Sequence, residues 1–247
     1  MDKMLYIAMS GAKQNMQSLA VNANNLANAK TTGFKADLAQ ARAMQAFGEG
    51  MPTRVFAMTE NSSQNFDSGA LLTTGRDLDI AIEGEGWFAV QSADGSEGYT
   101  RSGHLRVTSE GTLETNNGQI VLGESGAIVL PLPVQNIEIS RDGTIMVQPE
   151  GAPAITQEEV GRIKFVNPNV RLLTKGHDGL FRRKDGNDEA VDINVTIKSG
   201  MLESSNVSAI GEMTEMIALQ RQFEMQLKMM KTAEEIDSSA ASLLRAF

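Results

Sequence analysis

Both ends of this chain read as long amphipathic helices, and the stretch between them does not. At the N-terminus an apolar seam runs Leu5, Met9, Ala12, Met16, Leu19, Ala23, Leu26. Its steps alternate four and three, the repeat of about 3.5 residues by which one helix docks along another. Lys3, Lys13, Gln14, Gln17 and Asn24 mark the opposite face as solvated. A helix of about 25 residues is roughly 37 Å long, too long to cover with its own side chains, so it needs a partner. The comparable stretch lies at the other end: Met213, Met216, Gln220, Phe223, Leu227 and Met230, then a slipped register at Ala233, Ile236, Ala240 and Leu243. Ile217, Leu219 and Met229 broaden that seam, and neither Pro nor Gly follows Gly211, leaving a run of good helix formers.

The first helix is expected to end near Asn28–Gly33, where Asn-Ala-Lys-Thr-Thr-Gly is poor in helix formers and Gly33 suits a positive φ. Asn24, Asn25 and Asn28 are unusual inside a helix, because their amides compete for backbone hydrogen bonds. They mark either a fraying end or a polar interface between packed helices. Ala36–Phe47 carries the composition of a short Ala-rich helix, and Thr53–Thr59 is strand-like; residues 36–75 together read as an extended connector. From Leu78 the texture changes. Leu78–Glu83 alternates with period two, and Trp87–Val90 resumes after Gly84 and Gly86. Turn pairs recur at Asp94-Gly95, Asn117-Gly118, Asp142-Gly143, Asp178-Gly179 and Asp185-Gly186, with short apolar runs between them. Asp-Gly and Asn-Gly in that setting are the strongest local hairpin signals. The predicted architecture is a mainly β central domain, residues 76–200, flanked by a 1–35 helix and a 201–247 return segment and helix. The two helices are expected to pair as a coiled-coil-like layer, α+β overall. Ser208 is the expected N-cap of the last helix.

Composition narrows the function. A net charge of −9 argues against nucleic acid, since a basic patch is the minimal footprint for phosphates. Residues 1–48 carry a net positive charge and residues 212–247 a net negative one, which favours pairing of the two helices, weakly in salt. There is no Cys, which removes disulfides, thiolate zinc sites and cysteine nucleophiles. No window approaches the length of a membrane span, and the N-terminus lacks a basic region followed by an apolar core, so no cleavable secretory signal is expected. His104 and His177 each neighbour a glycine and fit no metal-ligand spacing. Gly84-Glu85-Gly86 leads into Trp87-Phe88 and not into a helix, so it is a strand break and not a dinucleotide loop. With no G-x-S-x-G and no P-loop lysine, the reading is not an enzyme: no catalytic residue, no cofactor, no metal.

Several motifs then point one way. Ala23-Asn24-Asn25-Leu26-Ala27-Asn28 followed by Thr32-Gly33-Phe34-Lys35 resembles the N-terminal signature of bacterial flagellar rod and hook proteins. Leu202-Glu203, Ser205-Asn206-Val207 and the Met216–Lys228 stretch with Arg221 and Phe223 are similar to the same family's closing helix. Thr74-Gly75-Arg76, Leu78-Asp79, Gly86-Trp87-Phe88, Tyr99-Thr100-Arg101 and Gly111-x-Leu113 match in between, and the order is kept along nearly the whole chain. Length and the Pro52-Thr53-Arg54 connector resemble the proximal-rod branch more than the distal-rod branch.

That resemblance implies a structural subunit of the flagellar proximal rod, sited in the periplasm and exported by the flagellar type III apparatus without a cleaved signal. Family members stack as a helical tube, so the implied partners are further copies of the chain and neighbouring rod proteins. The implied assembly interface is Leu5, Met9, Met16, Leu19, Asn24, Asn25, Leu26, Asn28 and Phe34, with Met213, Met216, Ile217, Arg221, Phe223, Leu227 and Met230. Terminal helices with so few partners are expected to be marginal in the free subunit. The alternatives are a distal-rod or hook-type subunit, a wall-acting enzyme with a β domain, and a coiled-coil adaptor whose β domain binds a ligand.

Overall fold

A computed structural model describes residues 4–45, 55–59, 63–151, 153 and 157–245. It has one helix near each end, α1 (Met4–Ala27) and α2 (Ala209–Arg245), with short strands between. The chain divides into two compact units. A helical unit comprises Met1–Ala29, Lys35–Asn65 and Val207–Phe247, and a β unit comprises Lys30–Phe34 and Phe66–Asn206.

In the β unit, the turn pairs do what their chemistry requires. Gly95, Gly118, Gly143 and Gly179 all take positive φ. They join Trp87–Gln91 to Glu97–Thr100, Leu113–Thr115 to Ile120–Gly123, Val134–Ile139 to Thr144–Pro149, and Leu173–Lys175 to Phe181–Arg183. At the last of these turns Arg182 forks onto Asp178 at 3.0 and 2.6 Å and holds that carboxyl down at about 2. Gly186 also takes positive φ, but its turn closes no hairpin; Arg183 grips Asp185 and Glu189 there instead. The largest sheet runs in the order 173–175, 181–183, 97–100, 87–91, 120–123, 113–115, 105–107.

The strand Trp87–Gln91 explains an unbroken apolar run. Phe88 and Val90 point into one core with Ile80, Leu113, Ile145 and Phe165, while Trp87 and Ala89 point into a second with Tyr99, Val166, Leu173 and Phe181. A strand covered on both faces cannot alternate apolar with polar. The same applies to Asp79–Ile82. The alternation seen in the sequence suggests a half-exposed strand, yet Asp79, Ile80, Ala81 and Ile82 are all buried. Tyr99 is buried too, its hydroxyl accepting from the Glu189 N–H at 2.8 Å, and burial pushes its titration upward.

In the helical unit α1 and α2 run antiparallel: Gly11 lies against Gln226, and Asn25 against Glu212. Ser208 caps α2 as its sequence suggests, its Oγ accepting from the Gly211 N–H at 3.3 Å. Over its described part, residues 36–45, the expected Ala36–Phe47 helix is not there, and Ala46 and Phe47 lie outside the described residues. Ala41–Gln45 is a strand, paired in register with Val55–Thr59, and Ala36 and Lys35 are buried outside any helix. Cross-strand pairing overrides alanine's local preference for helix. Thr53 and Arg54, on the edge of the expected strand, lie outside the described residues. Among the described residues no helix is long and apolar enough to cross a membrane.

Candidate functional site: an outward apolar face and a buried clasp

The helices present their apolar residues in an unexpected direction. The sequence seam implies that Leu5, Met9, Met16 and Ala23 face a partner helix within the chain. Instead all four are exposed, Met9 at 56% and Met16 at 60%. The inward positions of α1 are Ala8, Ala12, Gln14, Asn15, Asn22 and Asn25. Gln14 was assigned to the solvated face by its polarity, and is buried. The physical reason is close approach. Gly11 has no Cβ, and the Gln226 side-chain amide fills the space one would take, 2.5 Å from it, so the facing surface is built from small residues and amides and the large apolar ones are left outside. On α2 the pattern is starker, with Ala233 the one buried residue among those described.

Each residue of the expected interface can now be placed. Leu5, Met9, Met16, Asn24, Met213, Ile217, Arg221 and Leu227 are exposed; Leu19, Leu26, Asn28, Phe34, Met216, Phe223 and Met230 are half-buried. Asn25 is different. It is 2% exposed, and its amide brackets one backbone position, donating to the Asp37 carbonyl at 2.8 Å and accepting from the Asp37 N–H at 2.9 Å. That pair of hydrogen bonds fixes where the chain returns after leaving α1. Asn28 donates to the Asn24 carbonyl at 2.9 Å and so extends the helix end. Of the readings open to these asparagines, Asn25 belongs to a packed polar contact and Asn28 to a helix terminus.

Glu212 lies in the first turn of α2, and burial raises its carboxyl above the ordinary 4.5, with the Asn25 hydrogen bond opposing and Glu215 adding to the shift. An acid whose folded pKa is raised binds its proton more tightly folded than unfolded. Its contribution therefore falls as pH rises from 4.5 through the raised value, and is recovered on acidification. Glu212→Gln is expected to flatten that part of the profile. Helix melting followed by circular dichroism at pH 4.5 and pH 7 should show a smaller gap in the variant than in the parent.

Within the β unit a second constellation gathers several of the sequence motifs. Arg101 and Glu203 form a buried ion pair at 3.0 Å, with side chains 5% and 1% exposed. Glu203 also accepts from the Gly69 N–H at 2.9 Å. Arg101 donates to the Gly84 carbonyl at 2.9 Å and sits 5.3 Å from the centre of the Trp87 ring. Burial pulls the guanidinium below its usual range, and the Glu203 charge opposes that pull. The segment Lys30–Phe34 closes over this pair. The Gly33 N–H donates to the Glu203 carbonyl at 2.8 Å, Thr32 and Ser102 hydroxyls meet at 3.2 Å, and the Phe34 ring lies under the Lys175 ammonium at 4.2 Å. Gly33 does take the positive φ its sequence suggests, +69°, but as a docking residue several positions beyond α1 and not as that helix's C-cap. Arg101 and Glu203 stood inside motifs in the sequence, but nothing there paired them.

His104 lies 3.0 Å from Asp79 and 3.2 Å from Arg76, a polar cluster on a strand crossing. Among the described residues no group of three or more His, Cys, Asp or Glu is placed to hold a metal ion.

Comparison with known proteins agrees with the motifs. Residues 5–35 match the model for flagella basal body rod proteins, residues 81–147 the flagellar hook protein FlgE/F/G D1 domain, and residues 198–243 the flagellar basal body rod FlgEFG C-terminal region. The flagellar basal-body rod protein FlgF of Escherichia coli is 40% identical over 99% of both chains. That of Caulobacter vibrioides is 35% identical over 99% of this chain and 98% of its own. The rod protein FlgG of Bacillus subtilis is 34% identical over 98% of both. With full-length relatives at this identity and three rod-family segments in order, the chain belongs to the flagellar basal-body rod proteins of the FlgF type, and is a structural, non-enzymatic subunit of the flagellar rod.

Proposed function

We propose that this subunit builds the proximal rod, joining further copies of itself and neighbouring rod subunits through its terminal helices into a helical shaft that transmits torque. The observation that carries this reading is the outward apolar face. Leu5, Met9, Met16, Met213, Ile217 and Leu227 stay exposed on helices whose own contact uses small and polar residues. Large apolar side chains left outside a folded unit mark a surface meant for another protein. Leu19, Asn24, Leu26, Met216, Arg221, Phe223 and Met230 complete the interface, and Asn25, Asn28 and Phe34 set the chain path beside it. α1 and α2 then pair as a coiled-coil-like layer that firms up on assembly. In this scheme residues 1–35 and 201–247 are the assembly elements, 36–75 the connector and 76–200 the β domain. The subunit works in the periplasm and reaches it through the flagellar type III apparatus without a cleaved signal. Association with rod components and a place in the basal body follow from family membership alone.

Leu227→Asp tests the interface. Leu227 is 45% exposed, so the change costs the lone subunit about 0.5 kcal/mol or less, while burying an unpaired carboxylate between subunits costs several-fold more. The expected result is loss of swimming and of complete rods, with an unchanged β unit. Normal rods in that strain would sink the proposal.

A further inference from the structure

Sulfur in this chain is placed unusually. Twelve of the fourteen methionines fall within the helical unit. Among the described residues five on the helices are open to solvent: Met9, Met16, Met213, Met225 and Met229, between 41% and 60% exposed. Met9 and Met16 are seven apart and so share one face of α1. The β unit has only Met146 and Met201, both half-buried. The chain has no cysteine to react first, and its single tryptophan is 3% exposed. A two-electron oxidant meeting the free subunit therefore finds exposed thioethers of the helical unit, these five and Met44 and Met58 at 46% and 49% exposure, before it reaches the buried indole.

We propose that the exposed helix methionines are oxidation sites, and that their conversion to sulfoxides by a hydroperoxide keeps the subunit out of the rod. The step balances without a cofactor. With hydrogen peroxide the thioether sulfur attacks one peroxide oxygen, the S–O bond forms as the O–O bond breaks, and the leaving hydroxide takes the proton from the sulfur-bound oxygen and departs as water. Sulfur is oxidised by two electrons and the peroxide is reduced. The product is a polar, hydrogen-bond-accepting group where a flexible apolar one stood. A sulfoxide on an open surface is harmless; one that must enter an apolar contact is not. Oxidation therefore discriminates between free and assembled subunits. The free subunit is vulnerable, and incorporation shields the sulfur. Methionine sulfoxide reductase reverses the lesion, so the block is temporary. This inference rests on the outward helix face being an assembly interface.

The test uses cells in which this chain supplies the subunit, carrying either the parent sequence or a variant with Met9, Met16, Met213, Met225 and Met229 all changed to Leu. Both are grown with and without the same sublethal dose of hydrogen peroxide, and basal bodies with complete rods are counted. Peptide masses report the gain of about 16 Da per sulfoxide in the unassembled pool and in purified rods. Complete rods are expected to fall several-fold in the parent and not in the Leu variant, with sulfoxide enriched several-fold in the pool over the rods. The proposal is overturned if both strains lose rods equally, or if sulfoxides are as frequent in rods as in the pool. It is also overturned if the five methionines stay unoxidised while Met146 and Met201 react. The pool-to-rod ratio needs no variant, so it decides the matter even if the Leu variant assembles poorly. Failure of the underlying interface is read separately, from complete rods in the Leu227→Asp strain without peroxide.

Discussion

Arg101→Ala lowers the thermal midpoint of the β unit by roughly 10 °C, on the basis of about 3–5 kcal/mol for breaking a buried ion pair and 2–4 °C per kcal/mol in a unit of this size. The cost comes mostly from what is left behind. Glu203 is 1% exposed, and without the guanidinium its carboxylate is a buried charge that has lost the Arg101 ion pair. The Gly84 carbonyl loses a donor and the Trp87 ring its cation as well. Glu203→Gln tests the same pair from the other side. It keeps the volume and still offers an oxygen to the Gly69 N–H, so the loss includes the cost of leaving the Arg101 charge without its Glu203 partner. Changing both partners to apolar residues of similar size should recover much of the loss, because neither charge of this pair is then buried. Trp87 is the only tryptophan and lies beside the pair, so its fluorescence follows this unit specifically. A midpoint for Arg101→Ala within 2 °C of the parent would show the ion pair to be energetically idle.

Gly33→Ala carries the second large effect, and Gly75→Ala calibrates it. The two glycines have nearly the same backbone, φ +69° and +71°. Any side chain in that region costs about 1–2 kcal/mol. At Gly75 that is the whole cost, since a Cβ there meets nothing within 4 Å. At Gly33 the Cβ would stand 2.3 Å from the Arg101 carbonyl carbon and 2.4 Å from the Ser102 nitrogen. Backbone atoms cannot rotate away, so the 30–34 segment must lift. It then forfeits the bond from the Gly33 N–H to the Glu203 carbonyl and the Thr32–Ser102 contact. An extra loss of roughly 2 kcal/mol or more over Gly75→Ala is expected, at about 1 kcal/mol for each hydrogen bond in addition to the clash. Chemical denaturation of both variants measures the difference. Equal losses would mean that the close approach contributes nothing.

How much of this could be read beforehand depended on range. Hairpins closed by Asp94-Gly95, Asn117-Gly118, Asp142-Gly143 and Asp178-Gly179 were legible because the signal and the structure occupy the same few residues. Both helices were legible from their period. The inward face of α1 was legible only at Ala12, which stood in the seam and is buried; Ala8 falls off the seam's step, and Gly11, Asn15 and Asn22 do not register as apolar, whereas Met9 and Met16 do. Interior packing at close range rewards small size, and a hydrophobic pattern scores only greasiness. The strand at Ala41–Gln45 was misread because its partner, Val55–Thr59, lies beyond any local window. The Arg101–Glu203 pair shows the limit most clearly. Its two residues are 102 positions apart, and no single sequence says which distant charge meets which.

That separation also orders events in time. Glu203 receives the Gly33 N–H, binds Arg101 and accepts from Gly69, so the clasp draws on early, middle and late parts of the chain. A ribosome must deliver residue 203 of 247 before the first of these bonds can close. Until then the hairpins form and dissolve locally, and the long-range loops that would unite them carry an entropy cost with no return. The β unit is therefore a structure fastened from its far end: a nascent subunit remains unlatched for most of its synthesis, and its final latch arrives just ahead of the helix that follows.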